Sequence, residues 1–252
     1  MAEARAACRI GTAGWAIPSR YASAFPNAGS HLQRYAGRLC AAEINSSFYK
    51  PHRVTTYQRW AQSVPADFRF SVKLPKTITH ERRLAACEDL LDTFLSQAGG
   101  LGTRLGAVLV QLPPSLGFDR EIVDAFFSSL RERTPVRLAC EPRHADWFGD
   151  EAEALLRRWE VARVAADPSP VPDARDPGGF TDLAYIRLHG APAMYRSDYD
   201  PDQIKALAAR IAGHRAEGRE TWCIFDNTTL GHALGNALSL ANSGESESNP
   251  TA

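Results

Sequence analysis

Strand-like and helix-like segments alternate repeatedly along this chain of 252 residues, and eight of the segments are strand-like. The clearest of these, residues 105–112, is apolar at nearly every position. Such a composition is typical of a strand that is covered on both faces, as in a parallel sheet. Repeated strand–helix alternation also favours parallel pairing. This pattern constrains the fold more than any other feature of the sequence.

Eight strands in about 250 residues match the count and size of a (β/α)₈ TIM-type barrel. An open doubly wound sheet ranks lower, because no Gly-x-Gly-x-x-Gly follows an early strand. After the sixth strand, residues 167–182 are rich in Pro, Gly and Asp and show no helical period. The sequence therefore predicts a single α/β barrel over residues 8–241, with one irregular connection after strand six.

The two ends of the chain differ from the barrel region. Residues 1–7 lack the apolar core of a signal peptide, and residues 242–252 are mostly Ser, Glu, Asn, Pro and Thr. We predict that both are disordered tails. The five cysteines are scattered without metal-type spacing and resemble core fillers in a reducing cytosol. No apolar run approaches the ~18 residues of a membrane span, so we expect a cytoplasmic protein without membrane contact.

The chain carries a formal net charge of zero and has a pI near 7.1. The sequence therefore has no global basic field of the kind that attracts nucleic acid. Nucleic acid is thus a conceivable partner that the net charge does not support. A small polar or anionic ligand is the partner that we expect.

Side chains alternate between the two faces of a strand, and barrel sites gather at the C-terminal ends of the strands. Ile44 belongs against apolar packing, so Glu43 and Asn45 must point to the other face. The same alternation predicts inward-facing polar side chains at the ends of other strands. These are Ser71, Lys73, Gln111, Glu141, Arg187 and His189, with Asp226 and Asn227 after the last strand.

This polar layer is hard to explain by packing, because barrel interiors are normally filled by branched apolar residues. Carboxylates and histidines can transfer protons, and we predict this role for Glu43, Glu141, His189 and His144. Cations can hold an anion, and we predict this role for Lys73, Arg143 and Arg187. A buried salt-bridge network that sets the barrel geometry is the alternative interpretation.

Lys73 and Arg187 in the same layer would repel a metal cation. We therefore predict no resident metal and no cofactor, with a divalent metal as the alternative. Further ligand contacts are predicted for residues near the barrel mouth, either by hydrogen bonding or by aromatic stacking. These are Asn45, His80, Gln111, Asp226 and Asn227, together with the aromatic residues Trp15, Tyr49 and Trp147. The glycine-containing loop over residues 189–195 could fold over the mouth as a lid.

Short motifs occur in a fixed order between residue 10 and about residue 240. They are IGTAGW at 10–15, EINSSFY at 43–49, VKLPKTITH at 72–80, QLPPS at 111–115, EPRH at 141–144 with Trp147, YIRLHG at 185–190, and Asn227 with Asn236. Together they resemble the YecE-like family, the domain of unknown function 72. The resemblance implies a (β/α)₈ barrel. It implies no reaction, because the family has no firmly established activity.

The chain departs from the family pattern at two places. Two asparagines often follow the phenylalanine of the last strand in the family, whereas Phe225 is followed here by Asp226 and Asn227. The extra carboxylate can change the ligand charge preference or proton transfer. Where the family often has Glu-Phe-Arg-His, this chain has proline at position 142. Proline cannot donate a ladder hydrogen bond, so strand five is predicted to stop at Glu141.

Three functions are compatible with these features. The first is a barrel enzyme that acts on a polar, anionic ligand by carboxylate and histidine acid–base chemistry. The second is a metal-dependent phosphodiesterase or nuclease, a hydrolase supported only by general similarity to endonuclease IV-type barrels. The third is a non-catalytic ligand-binding or scaffold protein, in which the charged groups are structural.

Overall fold

The structure, a computed structural model, describes residues 6–246, apart from the side chains of residues 173 and 244–246. Its strands form one sheet of ten strands in the order β7-β9-β10-β1-β2-β3-β4-β5-β6-β8. The strands are β1 (Cys8–Ala13), β2 (Ala41–Ile44), β3 (Arg69–Lys73), β4 (Leu105–Gln111), β5 (Arg137–Glu141), β6 (Val161–Arg163), β7 (Ala165–Asp167), β8 (Gly178–Gly179), β9 (Leu183–Leu188) and β10 (Glu220–Phe225).

The barrel closes through a single interrupted strand. β6 pairs in parallel with β5, and β7 pairs in parallel with β9. Val164 lies between these two segments, and its N–H donates to the carbonyl of Cys140 at 2.8 Å. β6 and β7 together are therefore the sixth barrel strand, which confirms the eight predicted barrel strands. β8 is a short antiparallel addition outside that count.

The helices cover the outside of the barrel. Among residues 6–246 the α-helices are α1 (His31–Ala36), α2 (Val54–Gln62), α3 (Glu88–Ala98), α4 (Arg120–Arg133), α5 (Asp150–Arg158), α6 (Pro201–Ala216) and α7 (His232–Ser246). In this range no α-helix lies between β7 and β9. A 3₁₀ turn at Pro172–Arg175 and β8 take its place. This confirms the irregular connection predicted after strand six.

The last helix extends further than the sequence pattern indicates. α7 continues to Ser246, whereas the barrel domain was predicted to end at residue 241. Residues 242–246 of the predicted disordered tail are therefore helical. Residues 1–5 and 247–252 lie outside the described residues, so disorder there stays a prediction. No helix in the described range is long and apolar enough to cross a membrane.

Small residues inside the barrel make room for two large rings. Tyr185 and Trp222 are fully buried and stack with their planes 5° apart. They belong to an inner apolar cluster that is otherwise mostly alanine and aliphatic residues. A Cβ at Gly106 would lie 2.6 Å from Cζ2 of Trp222, so the ring requires glycine there. The apolar side chains fill the inner part of the barrel, and the polar side chains lie at its C-terminal end.

Candidate functional site

Arg187 lies at the centre of a buried network of charged side chains. Its Nε and Nη2 atoms donate to Oε2 and Oε1 of Glu43 at 3.0 and 2.6 Å. Its Nη1 donates to Oε2 of Glu141 at 2.6 Å, and Nη2 also donates to Oδ2 of Asp226 at 3.0 Å. These residues come from β9, β2, β5 and the end of β10. One guanidinium group therefore binds carboxylates from three other strands.

His189 contacts a carboxylate through each ring nitrogen. Nδ1 lies 3.1 Å from Oδ2 of Asp226, and Nε2 lies 3.0 Å from Oε1 of Glu141. Because both acceptors are carboxylates, the geometry favours a ring that is protonated on both nitrogens. Burial alone would lower the pKa of His189, but the charge of Glu141 and the two hydrogen bonds outweigh it. The pKa of His189 is therefore raised.

Glu141 is saturated with hydrogen-bond donors. Oε1 accepts from Gln111 at 3.1 Å and from Arg143 at 2.7 Å, in addition to its contact with His189. Oε2 accepts from Arg187. Burial would raise the pKa of this carboxyl group, but Arg187 and then His189 hold it well below its ordinary value. Glu141 is thus a firmly ionised acceptor.

Two residues below Glu43 complete the inner end of the network. Tyr185 Oη lies 3.1 Å from Oε2 of Glu43 and 2.8 Å from Oγ of Ser71. All three side chains are fully buried. Sequence reasoning did not include Tyr185 among the site residues. Its position two residues before Arg187 places both on the same face of β9, and this signal was available.

Lys73 lies at the edge of the network without a hydrogen-bond partner among the described residues. Its Nζ is 4.1 Å from the centroid of the Phe48 ring, a cation–π distance. Burial and then the charge of Arg187 lower the pKa of Lys73 to about 8, against the attraction of Glu43, Glu141 and Asp226. Lys73 therefore retains a donor group that is free for a ligand.

His80 packs on the same ring as Lys73. The His80 and Phe48 rings meet edge to face with centroids 4.9 Å apart. His80 Nδ1 lies 2.9 Å from Oγ1 of Thr79. Burial, followed by the charge of Lys73, lowers the pKa of His80. Phe48, which was not among the predicted site residues, thus connects a neutral imidazole with the unpaired ammonium.

A loop between β9 and α6 covers the other side of the network. The Tyr195 ring meets the His189 ring edge to face, with centroids 5.6 Å apart. Arg143 Nη2 lies 3.6 Å from Sδ of Met194. Asn227 Nδ2 holds the loop by donating to the carbonyl of Ser197 at 2.9 Å and to Oδ1 of Asn236. This loop therefore lies over the network on the His189 side.

The comparisons identify the family. A profile described as "Protein of unknown function DUF72" matches residues 9–251. The chain belongs to this family. "UPF0759 protein YecE" of Escherichia coli K12 is 34% identical over 151 residues, which are 57% of this chain and 54% of that protein. The match thus spans about half the length of this curated relative.

Solved structures of DUF72 proteins share the fold. One from Thermotoga maritima has 26% sequence identity and a TM-score of 0.78, and the superposition covers 95% of this chain and 99% of that one. One from Enterococcus faecalis V583 has 23% identity and a TM-score of 0.79, covering 93% and 94%. At 23% identity, the similarity to the Enterococcus faecalis structure shows a shared fold and nothing more. Together they agree with the predicted (β/α)₈ barrel.

Two aromatic residues predicted to contact a ligand are used for packing in this DUF72 chain. Trp147 is fully buried, and its Nε1 donates to the carbonyl of Leu116 at 2.9 Å. Trp15 packs edge to face against Trp60 and Phe70 in the layer between strands and helices. Trp147 is thus a packing residue in this structure, and its contact with a ligand stays a prediction.

His144 is not brought into the network. It is the N-cap of the 3₁₀ turn at Ala145–Phe148, and its Nδ1 accepts from the N–H of Asp146 at 3.3 Å. Among the described residues, the hydrogen-bond and ion-pair contacts of its side chain are with Asp146. β5 ends at Glu141, before the proline at position 142, as predicted. The acid–base role predicted for His144 is therefore not supported by its position.

Tyr49 and Asn45 lie at the rim of the mouth. Tyr49 is 73% exposed, and its ring packs edge to face on the Phe48 ring. Asn45 is partly exposed, but its Oδ1 is buried without a hydrogen-bond partner. The register of β2 and β3 pairs Ile44 with Val72, so Asn45 follows β2 on the side next to Lys73. Both residues remain available to a ligand on that side.

The carboxylates that could bind a metal ion in this DUF72 barrel are already paired with Arg187. Its guanidinium occupies the position between Glu43, Glu141 and Asp226 where a cation would be bound by these carboxylates. Among residues 6–246 no group of three or more His, Cys, Asp or Glu side chains could hold a metal ion. The donor set of this network therefore does not fit a resident metal.

Proposed function

We propose that this DUF72 protein is an enzyme that binds a small anionic ligand at the C-terminal mouth of the barrel. The observation that carries the proposal is the unpaired ammonium of Lys73 beside a network in which the other charges are matched. A buried cation without a partner is costly. An anion that enters the mouth would remove this cost.

The formal charges of the network support an anionic rather than a cationic ligand. The three carboxylates of Glu43, Glu141 and Asp226 face Arg187, Arg143 and a doubly protonated His189. These six groups balance to zero. A protonated Lys73 then leaves one net positive charge in a region with little solvent contact, where electrostatic interactions are strong.

His189 is the group that we assign to proton transfer. Its Nε2 lies 3.0 Å from Oε1 of the ionised Glu141, and the raised pKa keeps the ring protonated, so that it can act as a general acid. Tyr195 and Met194 cover His189 and Arg143. Displacement of this loop would expose the pair to a ligand. Glu43 is held by two bonds from Arg187, which favours a role in fixing the guanidinium over a role as general base.

A thermal-shift titration with inorganic phosphate and with lactate at pH 7 tests ligand binding. A ligand at ten times its Kd adds about 1.4 kcal/mol, which corresponds to a rise of roughly 3–5 °C in Tm for a chain of this size. The Lys73→Gln variant should lose this rise. Lys76→Gln should keep it, because Lys76 is half exposed and forms a 3.0 Å ion pair with Glu81. An equal rise in all three proteins would contradict the proposal.

A non-catalytic binding protein is the second candidate, and one observation favours it. Both nitrogens of His189 and all four oxygens of Glu43 and Glu141 are already hydrogen bonded in the described structure. Saturation of this kind is typical of a structural network. The His189→Ala variant separates the two candidates, since an enzyme should lose turnover of a bound ligand while the binding protein should only show altered affinity.

A further inference from the structure

The Lys73 amine is nearly buried and has no hydrogen-bond partner in the described structure, which the binding of an anion alone does not require. Only 6% of Lys73 is exposed. Its Nζ nevertheless keeps some contact with solvent, because it has no hydrogen-bond partner and is not among the fully buried unpaired atoms. The three nearby carboxylates bind Arg187, and none of them accepts a hydrogen bond from Lys73 in the described structure. The amine is therefore both reachable and chemically unengaged.

Charged groups on four other strands and one loop determine how readily this amine loses its proton. Burial disfavours the charged ammonium most, and Arg187 from β9 also repels it. Glu43, Glu141 and Asp226 attract it from β2, β5 and the end of β10. His80 approaches from the segment after β3 and is held neutral by its lowered pKa. The repulsive contributions are larger.

The consequence is that about a tenth of Lys73 is free amine at neutral pH. A lysine with a pKa of about 8 has roughly 300-fold more unprotonated amine at pH 7 than one with the ordinary value of 10.5. A lysine desolvated next to another cationic group is one of the arrangements that activate this side chain as a nucleophile. Lys73, between Phe48 and Arg187, has this arrangement.

We propose that Lys73 is a nucleophile that forms a Schiff base with an aldehyde or ketone carrying one negative charge, the chemistry of a small 2-oxo acid. This inference rests on the proposed function, because it assigns the ligand class and the reacting atom at the same mouth. It goes beyond anion binding, which needs the ammonium form and no carbonyl group.

The covalent step balances without an oxidant or a reductant. The lone pair of the neutral Nζ attacks the carbonyl carbon, a C–N bond forms, and the carbonyl π electrons move to oxygen. One proton passes from nitrogen to that oxygen, giving a carbinolamine. Solvent delivers a second proton to the hydroxyl group, the C–O bond breaks, and water leaves. The product is a protonated imine on Lys73.

The charge of the product accounts for the anionic part of the ligand. A neutral Lys73 amine leaves the network balanced, whereas a protonated imine restores one net positive charge in a site with little solvent. A carboxylate on the ligand offsets that charge within the same molecule. A neutral aldehyde would leave it uncompensated, so it should react less readily.

The test uses the full chain, which contains four lysines, Lys50, Lys73, Lys76 and Lys205. The protein is incubated at pH 7 with pyruvate and cyanoborohydride, which reduces an imine to a stable amine, and the modified positions are mapped by peptide mass spectrometry. Modification at Lys73 should exceed that at Lys76 by roughly tenfold or more, since exposed lysines remain almost fully protonated. Lys73→Arg should remove the main adduct, and Lys76→Arg should leave it unchanged.

Lactate separates failure of this inference from failure of the proposed function, because it has the carboxylate of pyruvate without the ketone. If lactate raises the Tm of the wild type and Lys73→Gln abolishes the rise, the anion site exists. Equal modification of all four lysines would then overturn the Schiff-base inference alone. If neither lactate nor phosphate raises the Tm and no lysine is preferentially modified, both proposals fail.

Discussion

Arg187 donates from Nε and Nη2 to both carboxylate oxygens of Glu43, although neither side chain has any contact with solvent. Two desolvated charges are stable together only when their geometry is good and their remaining hydrogen-bonding groups are satisfied. Here the remaining nitrogen of Arg187 is taken by Glu141, and Asp226 shares Nη2. The stability of three buried carboxylates therefore depends on one guanidinium.

Arg187→Met should be among the most destabilising single substitutions in the barrel. It leaves Glu43 and Glu141 buried without their main cation, and breaking a buried pair in this way costs about 3–5 kcal/mol. Urea unfolding followed by circular dichroism measures the change.

An exposed arginine provides the matched control for this substitution. Arg120 lies 3.5 Å from Glu151, and both side chains are more than 60% exposed, at 66% and 62%. Arg120→Met should change the free energy of unfolding by less than about 0.5 kcal/mol, as expected of surface pairs. Arg187→Lys should still be strongly destabilised, because an ammonium cannot form the two-pronged bond to Glu43 and reach Glu141. Wild-type stability in Arg187→Lys would contradict this description of the network.

Strand periodicity was sufficient to predict the barrel and most of the charged network. Glu43 and Arg187 lie within regular strands, where alternation fixes the face of each side chain. Alternation could not predict the burial of Trp147, because this residue lies in a 3₁₀ turn beyond β5, where a period of two no longer applies. His144 lies at the start of the same turn. The alternation of side chains predicts which face a residue occupies only within the strand itself.

The partners within the network could not be predicted from local sequence. Arg187 and Glu43 are 144 positions apart, and they meet only because the barrel closes. Alternation placed Lys73 inside but could not show that Arg187 would occupy every nearby carboxylate. The unpaired state of Lys73 is a consequence of that competition, so it becomes visible only in three dimensions.

Lys73→Met should remove a contribution of Lys73 that makes wild-type stability depend on pH. The folded-state pKa of Lys73 is lowered to about 8, so the unfolded chain binds more protons than the folded one between pH 8 and about 10.5. The Lys73 contribution to the free energy of unfolding must therefore rise with pH across that window. The difference between wild type and Lys73→Met should change by on the order of 2–3 kcal/mol. Urea titrations at pH 7 and pH 10 measure it, and a constant difference would contradict a lowered pKa.

Asn227→Ala should loosen the loop that covers His189. Asn227 Nδ2 bonds to Ser197 in the loop and to Asn236 in α7, so the substitution removes the bridge between them. Hydrogen exchange at residues 190–199 should become at least about fivefold faster, since one lost hydrogen bond is worth about 1 kcal/mol. Exchange in β4, which is distant from this loop, is the internal control. Unchanged exchange in the loop would mean that Tyr195 and Met194 are held by other contacts.

His189→Gln should remove a contribution to stability that is greatest in acid. The folded-state pKa of His189 is raised above the ordinary 6.5, so its charged contacts with Glu141 and Asp226 stabilise the fold fully below pH 6.5. That contribution is lost as the pH rises through the folded-state pKa. The difference in unfolding free energy between wild type and His189→Gln, measured by urea titration, should therefore fall as the pH rises above 6.5. His214→Gln is the control of opposite sign, because burial lowers the pKa of His214 and its contribution must instead increase as the pH rises towards 6.5. If both differences changed in the same direction, the imidazolium assigned to His189 would be contradicted.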